Sequence, residues 1–154
     1  MRLVVLIIVL NLFLPDAFAA QDICGYHQVS SIEGLFPHNP ERKKGGTVVT
    51  IGDFVVATFD PVKGNSFSAI EGAKNFIGKL REHGACTNEE RVCGVIQGNQ
   101  SESYRNSDLA MTVNDVEFEG YTDSDNVQLW KDINYHINLY QSLGLCNSVK
   151  IKLN

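Results

Sequence analysis

The pattern of apolar and polar positions predicts two helices. In the first, apolar residues recur every three or four positions, which is the spacing of one helical face. These residues are Phe67, Ile70, Ala73, Phe76, Ile77 and Leu80. A capping box at residues 68–71 predicts the beginning of this helix, and Gly84 predicts its end near His83. Two glycines within it, Gly72 and Gly78, are small enough to let the helix approach a sheet closely.

The second helix is predicted from about Asn126 to Leu143. Its buried face is expected to contain Leu129, Trp130, Ile133, Ile137, Tyr140 and Leu143. Acidic and hydroxyl side chains at residues 122–125 suit the positive end of a helix, and Gly144 suits its termination.

Other stretches have the length and composition of β-strands. They cover residues 47–51, 54–59, 92–97, 109–113, 116–121 and 149–153. Gly52-Asp53 and Asn114-Asp115 suit the two-residue turns of hairpins. Residues 20–46 are poorly patterned: their first part is compatible with a short helix or a short strand, and the prolines and glycines of 36–46 predict a loop.

The resulting order, β-β-α-β-β-β-α-β, predicts an α+β fold with two helices packed on one face of a mainly antiparallel sheet. Strand 54–59 is apolar on both faces, which predicts a central or otherwise strongly buried strand. The hairpin 109–121 alternates apolar and polar residues and should leave one face wet. Lysines alternate with apolar residues in 149–153, which predicts an edge strand.

The first 19 residues have the layout of a secretory signal peptide. Arg2 precedes an apolar run, and Ala17-Phe18-Ala19 supplies the small residues that a signal peptidase requires. The run is shorter than the roughly 20 residues that span a bilayer, so we expect cleavage after Ala19 or one residue later rather than a retained anchor. Residues 20–154 are then expected to form a single globular domain, secreted or periplasmic, with no membrane anchor.

The chain is moderately acidic. Its net charge is −5, and removal of Arg2 and Asp16 with the signal peptide leaves that value unchanged. A surface of this sign argues against nucleic acid as the partner, and against docking on anionic lipid, because both require basic residues. We therefore expect a protein or another macromolecule outside the cytoplasm as the partner.

The four cysteines, Cys24, Cys86, Cys93 and Cys146, all follow the predicted cleavage site. An even number in an exported chain predicts two disulfides. Of the three pairings, we favour Cys86–Cys93, which closes a short loop, and Cys24–Cys146, which joins the two ends of the domain. The cysteine spacing matches no zinc motif, and neither a metal nor a cofactor is expected.

Two loops are candidate binding surfaces. The first lies between Cys86 and Cys93, and we expect Glu89, Glu90 and Arg91 to face a partner. A loop held by a disulfide loses less entropy on binding, although a disulfide that serves stability alone explains the same residues. The second candidate is the basic stretch within 36–46, with His38, Arg42 and Lys43 as contact residues. The alternative explanation of that stretch is a solvated connector.

No complete catalytic motif is present, so the catalytic residues, if there are any, are unknown from the sequence. Asp132 and His136 lie four residues apart on one helix and offer two metal ligands of the three that a catalytic zinc site requires. A small secreted hydrolase, possibly metal-assisted, is therefore the alternative to a binding protein, and a purely structural protein is a third class.

Asn99 begins a glycosylation triplet, which matters only if the source is eukaryotic.

Overall fold

The computed structural model describes residues 20–30, 46–62, 65–97, 109–122 and 125–151. The predicted signal peptide lies outside these ranges.

Strands and helices follow one another along the described residues. They are β1 Cys24–Val29, β2 Gly46–Ile51, β3 Phe54–Phe59, α1 Ser66–Glu82, β4 Val92–Gln97, β5 Leu109–Val113, β6 Val116–Tyr121, α2 Asn126–Ser142 and β7 Ser148–Ile151. The α+β class and the predicted order from β2 onward are confirmed. Strand β1 precedes that order, and it forms in the poorly patterned segment because it pairs with β2 along its whole length.

The first sheet is antiparallel, in the order β1-β2-β3, and α1 packs against it. Its central strand is β2, whereas β3 lies at its edge. The expectation of a central or strongly buried strand for residues 54–59 is therefore wrong, since β3 lies at the edge and only its Val56 is buried. Apolar residues occur on both faces of β3 because this strand also contacts β6 of the second sheet.

The second sheet is mixed, in the order β6-β5-β4-β7. Strands β4, β5 and β6 are antiparallel neighbours, and β7 pairs with β4 in parallel. Helix α2 therefore connects one edge of this sheet to the other. Leu129 and Ile133 of α2 belong to the same hydrophobic core as Val95 of β4 and Met111 of β5. Strand β7 is an edge strand, as predicted.

Helix α1 begins earlier than the capping box predicts. Its N-cap is Asn65, whose side chain accepts a hydrogen bond from the N–H of Phe67 at 3.0 Å. Ser68 donates its hydroxyl to the carbonyl oxygen of Asn65 at 2.7 Å. Phe67 lies in the first turn and is 71% exposed, so its assignment to the buried face is wrong. Gly84, with φ at +73°, follows the helix end at His83, as predicted.

Gly72 allows α1 to approach the first sheet closely. A Cβ atom at this position would lie 2.8 Å from the ring of Phe59, closer than real Cβ contacts. The Phe59 ring also packs against Phe76 of α1, with 5.9 Å between the ring centroids. The prediction is confirmed for Gly72 but not for Gly78, where a Cβ would meet nothing within 4 Å.

Helix α2 is capped by Asp125, whose side chain accepts from the N–H of Val127 at 2.9 Å. Its buried face contains Leu129, Ile133, His136, Ile137 and Tyr140. Trp130 was predicted to lie on this face, and it is half-buried. Leu143 is 59% exposed, so its predicted burial is wrong. It lies at the C-cap, beyond the last helical turn that faces the core.

The hairpin of β5 and β6 forms around Asn114 and Asp115, which have φ of 46° and 65°. Positive φ at both central residues gives the turn whose twist matches that of the paired strands. Every residue of β5 is buried, so the expectation of one wet face is wrong for this strand. Ala110 and Thr112, on the face away from α2, are as inaccessible as the core side chains.

Both disulfides form, but not in the favoured pairing. The pairs are Cys24–Cys86 and Cys93–Cys146. Backbone contacts explain the first pair, because the N–H of Ile23 donates to the carbonyl oxygen of Cys86 at 2.8 Å. The second follows from the parallel pairing of β4 with β7, which places Cys93 opposite Val149, shortly after Cys146. The second disulfide therefore joins segments that the second sheet already brings together, whereas the first joins β1 to the loop after α1 next to a backbone hydrogen bond.

The two disulfides indicate an oxidising compartment. Within the described ranges, neither helix has the length and apolar character needed to cross a bilayer.

Candidate binding site

Arg91 is a structural residue. Its side chain is only 8% exposed, so the prediction that it faces a partner is wrong. The guanidinium donates Nε to the carbonyl oxygen of Leu145 at 2.9 Å and Nη1 to that of Thr87 at 3.0 Å, and Nη2 donates to Gly144. Burial lowers the pKa of this guanidinium. The guanidinium still donates to three carbonyl oxygens, and its rigid, planar set of N–H donors in the charged form suits that arrangement of acceptors.

The two glutamates of the same loop remain accessible. Glu89 and Glu90 are exposed, which agrees with their predicted orientation. The hydroxyl of Ser148, at the start of β7, donates to Oε1 of Glu90 at 3.1 Å. Arg91 holds the backbone of this loop against the end of α2. The loop therefore exposes the carboxylates of Glu89 and Glu90 from a fixed backbone.

A concave site lies on the second sheet, on the face away from α2. Its volume is about 370 Å³. Gly94 forms its floor, between the side chains of Val92 and Ile96 on the same strand, and Thr112 and Lys150 stand on the neighbouring strands. Alternate residues of a strand share one face, so Gly94 places no side chain between these two aliphatic ones, and the Thr112 hydroxyl occupies that space instead. We call this site the β4 notch.

Gly94 is required by its neighbours. A Cβ atom there would lie 2.5 Å from Oγ1 of Thr112 and 3.2 Å from the carbonyl oxygen of Lys150. The notch is thus a consequence of close packing across β4, β5 and β7. Sequence reasoning missed it, because a glycine inside a strand gives a signal only once its cross-strand neighbours are known.

One end of the notch carries two carboxylates and an imidazole, supplied by Glu90, Asp115 and His83. Asn114 holds these segments together. Its Oδ1 accepts from the N–H of Val92 at 2.7 Å, and its Nδ2 donates to the carbonyl oxygen of His83 at 3.2 Å. The acidic end of the notch is therefore preformed by contacts between α1, β4 and the hairpin turn.

Glu117 of β6 belongs to the same row of cross-strand neighbours as Gly94 and Thr112. It lies opposite Thr112, which in turn lies opposite Gly94. Its Oε1 atom is buried and accepts no hydrogen bond from any residue that the structure describes. Burial raises the pKa of this carboxyl group.

The structure places Asp132 and His136 in different surroundings. Asp132 accepts a hydrogen bond from Nε2 of Gln128 at 2.8 Å. His136 is 3% exposed, and its ring stacks on Tyr121 at 5.5 Å and on Tyr140 at 5.9 Å between centroids. The two side chains do not form an accessible ligand pair, and the hydrolase alternative gains no support from them. The spacing of His136 from Ile133 and Tyr140 already placed it on the buried face.

The tyrosines around His136 form a hydrogen-bonded group with Glu119. Tyr140 donates its hydroxyl to the Glu119 carboxylate, and the hydroxyls of Tyr140 and Tyr121 lie 3.2 Å apart. Burial raises the pKa of Tyr121, and the negative charge of Glu119 adds to that effect. The group joins α2 to β6 and lies in the protein interior, so its geometry suits stability.

Asp22, Cys24 and Cys86 also bring three ligand-type atoms close together. Both sulfur atoms belong to one disulfide, and the carboxylate is ion-paired with Arg81 at 2.7 Å. The donor set therefore does not suit a metal ion, because a thiolate is the form of cysteine that ligates.

The second predicted binding surface, with His38, Arg42 and Lys43, lies outside the described residues, as does Asn99. In comparisons with known proteins, no family model, no curated protein and no solved structure matches this chain.

Proposed function

We propose that this chain is an exported, disulfide-stabilised protein that acts by binding another macromolecule, as an inhibitor, immunity protein or effector does. One observation carries the proposal. The exposed carboxylates of Glu90 and Asp115 border a concave site of about 370 Å³ whose walls are fixed by other parts of the fold.

Rigidity supports a binding role. The loop that carries Glu89 and Glu90 is held from behind by the hydrogen bonds of Arg91, and Cys93–Cys146 ties the adjacent strand to the start of β7. A surface that is already ordered loses little conformational entropy when a partner binds. Binding residues are also commonly carried on loops positioned by a rigid scaffold.

The proposed location is the extracellular space or the periplasm. The oxidising compartment that two disulfides require is consistent with it, as is the signal-peptide pattern of the first 19 residues. The net charge of −5 favours a protein partner over nucleic acid.

The experiment is affinity capture from the native exporting compartment with the oxidised protein, followed by measurement of the affinity for the purified partner. We expect Glu90→Gln to weaken that affinity about three- to tenfold, because the variant removes one charge at the edge of the site. Glu71→Gln is the matched control, since Glu71 is exposed on α1, about 18 Å along the helix from His83, which lines the site.

Unchanged affinity in Glu90→Gln would contradict a role for this surface. Failure of the oxidised wild-type protein to retain any partner would contradict the binding function itself.

A further inference from the structure

We infer that the β4 notch receives a single basic side chain, arginine or lysine, from the protein partner. The inference rests on the proposed function and names the chemistry of its partner. Its basis is the order of groups along the notch: aliphatic side chains and a glycine floor first, then two carboxylates and the His83 imidazole at one end.

The dimensions suit one side chain. Ligand sites in proteins span roughly 300–1,000 Å³, and the notch, at about 370 Å³, lies near the lower limit. The floor of the notch at Gly94 and Thr112 is bounded along β4 by Val92 and Ile96, both half-buried. Arginine and lysine have long aliphatic stems that pack on apolar surface while the charged group reaches polar partners. The stem of a basic residue can therefore lie between Val92 and Ile96, above the Thr112 side chain that covers Gly94.

The charges at the notch end favour a cation. Glu90 and Asp115 supply two exposed carboxylates there, against the one ammonium group of Lys150. Lys150 belongs to edge strand β7 and lies level with Gly94, whereas Glu90 and Asp115 lie beyond the beginning of β4. The backbone of Lys150 is thus displaced along the strand from the acidic end, where the carboxylates outnumber its single positive charge by two to one. The net charge of −5 also attracts a basic partner over longer distances.

The Glu90 carboxylate and the backbone that carries Asp115 are held in position before the partner arrives. Ser148 fixes one oxygen of Glu90 with a hydrogen bond of 3.1 Å. Asp115 stands at the tip of a hairpin whose neighbouring residue, Asn114, is bonded to both β4 and the end of α1. A carboxylate accepts several hydrogen bonds, so Glu90 can keep Ser148 and also bind a guanidinium group. Charge-assisted hydrogen bonds of this kind are the stronger ones in proteins.

The test is a nuclear magnetic resonance titration of the oxidised, ¹⁵N-labelled protein with N-acetyl-arginine N-methylamide. We expect saturable shifts of the Gly94 and Thr112 amide signals at millimolar ligand. The citrulline analogue has the same shape without the charge, and we expect it to bind at least tenfold more weakly. Glu90→Gln with Asp115→Asn should weaken arginine binding at least tenfold, whereas Glu71→Gln should not change it. Asparagine tolerates the positive φ at position 115, so the variant keeps the turn.

Equal shifts with citrulline, undiminished shifts in the double variant, or no shifts at Gly94 and Thr112 would each overturn the inference. So would tighter binding of N-acetyl-glutamate N-methylamide, which would assign the notch to an anion through Lys150. These outcomes are separable from failure of the proposed function. If a partner is captured and its affinity does not depend on Glu90 and Asp115, the binding function stands and the inference fails.

Discussion

The guanidinium of Arg91 donates Nε to the carbonyl oxygen of Leu145 at 2.9 Å, across 54 positions of sequence. Leu145 follows the end of α2, and its neighbour Gly144 also accepts from Arg91. In return, the carbonyl oxygen of Arg91 accepts from the N–H of Asn147 at 2.7 Å. The loop before β4 and the segment before β7 are thus joined in both directions, next to the disulfide that links Cys93 and Cys146.

Replacement of Arg91 by alanine should lower the free energy of unfolding by about 2–4 kcal/mol, because buried carbonyl oxygens lose a charged donor. Arg91→Lys should recover only part of the loss, since one ammonium group cannot reach acceptors arranged for a planar fork. Chemical denaturation followed by circular dichroism measures both changes.

Arg81→Ala is the control for this prediction. Arg81 forms an exposed ion pair with Asp22, with 2.7 Å between Nε and Oδ2. Exposed pairs contribute at most about 1 kcal/mol. Comparable losses in the two arginine variants would contradict the structural role of Arg91.

Replacement of Tyr140 by phenylalanine should lower the free energy of unfolding by about 1–3 kcal/mol, because the half-buried Glu119 carboxylate loses one of its two tyrosine hydroxyl partners. The ring contacts of position 140 with Phe54 and Phe118 are retained in this variant. Tyr135→Phe, on the exposed side of α2, should change stability by less than about 0.5 kcal/mol. Thermal and chemical denaturation of the two variants test the difference.

The stability of the protein should fall as the pH rises above about 10, the pKa of tyrosine in an unfolded chain. The pKa of Tyr121 is raised by burial and by Glu119, so the folded state keeps a proton that the unfolded state releases. The stabilisation is therefore complete below pH 10 and is lost above it, by up to about 1.4 kcal/mol for each pH unit.

Denaturation curves at pH 9, 10 and 11 measure this loss. Tyr121→Phe should have a shallower decline than the wild type over that range. Identical slopes would mean that the hydroxyl of Tyr121 does not contribute to the pH dependence.

Mass analysis of the non-reduced protein after proteolysis should identify peptides that join Cys24 to Cys86 and Cys93 to Cys146. Removal of the first disulfide by Cys24→Ser with Cys86→Ser should lower the free energy of unfolding by about 2–5 kcal/mol, since that bond closes a long loop. A peptide that joins Cys86 to Cys93 would contradict the connectivity of the fold.

Local sequence signals were sufficient to predict where several elements end. Gly84 and Gly144 adopt the positive φ that terminates a helix, and Asn114 and Asp115 adopt the positive φ of a two-residue hairpin. These conformations depend on the residue and its immediate neighbours, so a sequence pattern is sufficient to predict them. The beginning of α1 shows the limit, because Asn65 and Ser68 are both suitable caps and Asn65 occupies the position.

Burial was predicted less completely. The helical spacing identified Leu129, Ile133 and Ile137 correctly, but it does not distinguish a buried terminus from an exposed one. Phe67 and Leu143 lie at the ends of their helices, where the partner surface no longer extends.

The amino-acid sequence by itself determined the α+β class, the two helices, the hairpins and the presence of two disulfides, since periodicity, turn residues and an even number of cysteines are local or compositional properties. The tertiary structure decided which cysteines pair, why Arg91 is buried and where Gly94 leaves a notch. The pairing of Cys24 with Cys86 depends on the backbone contact of Ile23 with Cys86. The pairing of Cys93 with Cys146, the burial of Arg91 and the notch depend on β4 lying between β5 and β7. That arrangement brings together residues more than fifty positions apart, such as Cys93 and Cys146, and strand register sets such contacts only once the sheet has formed.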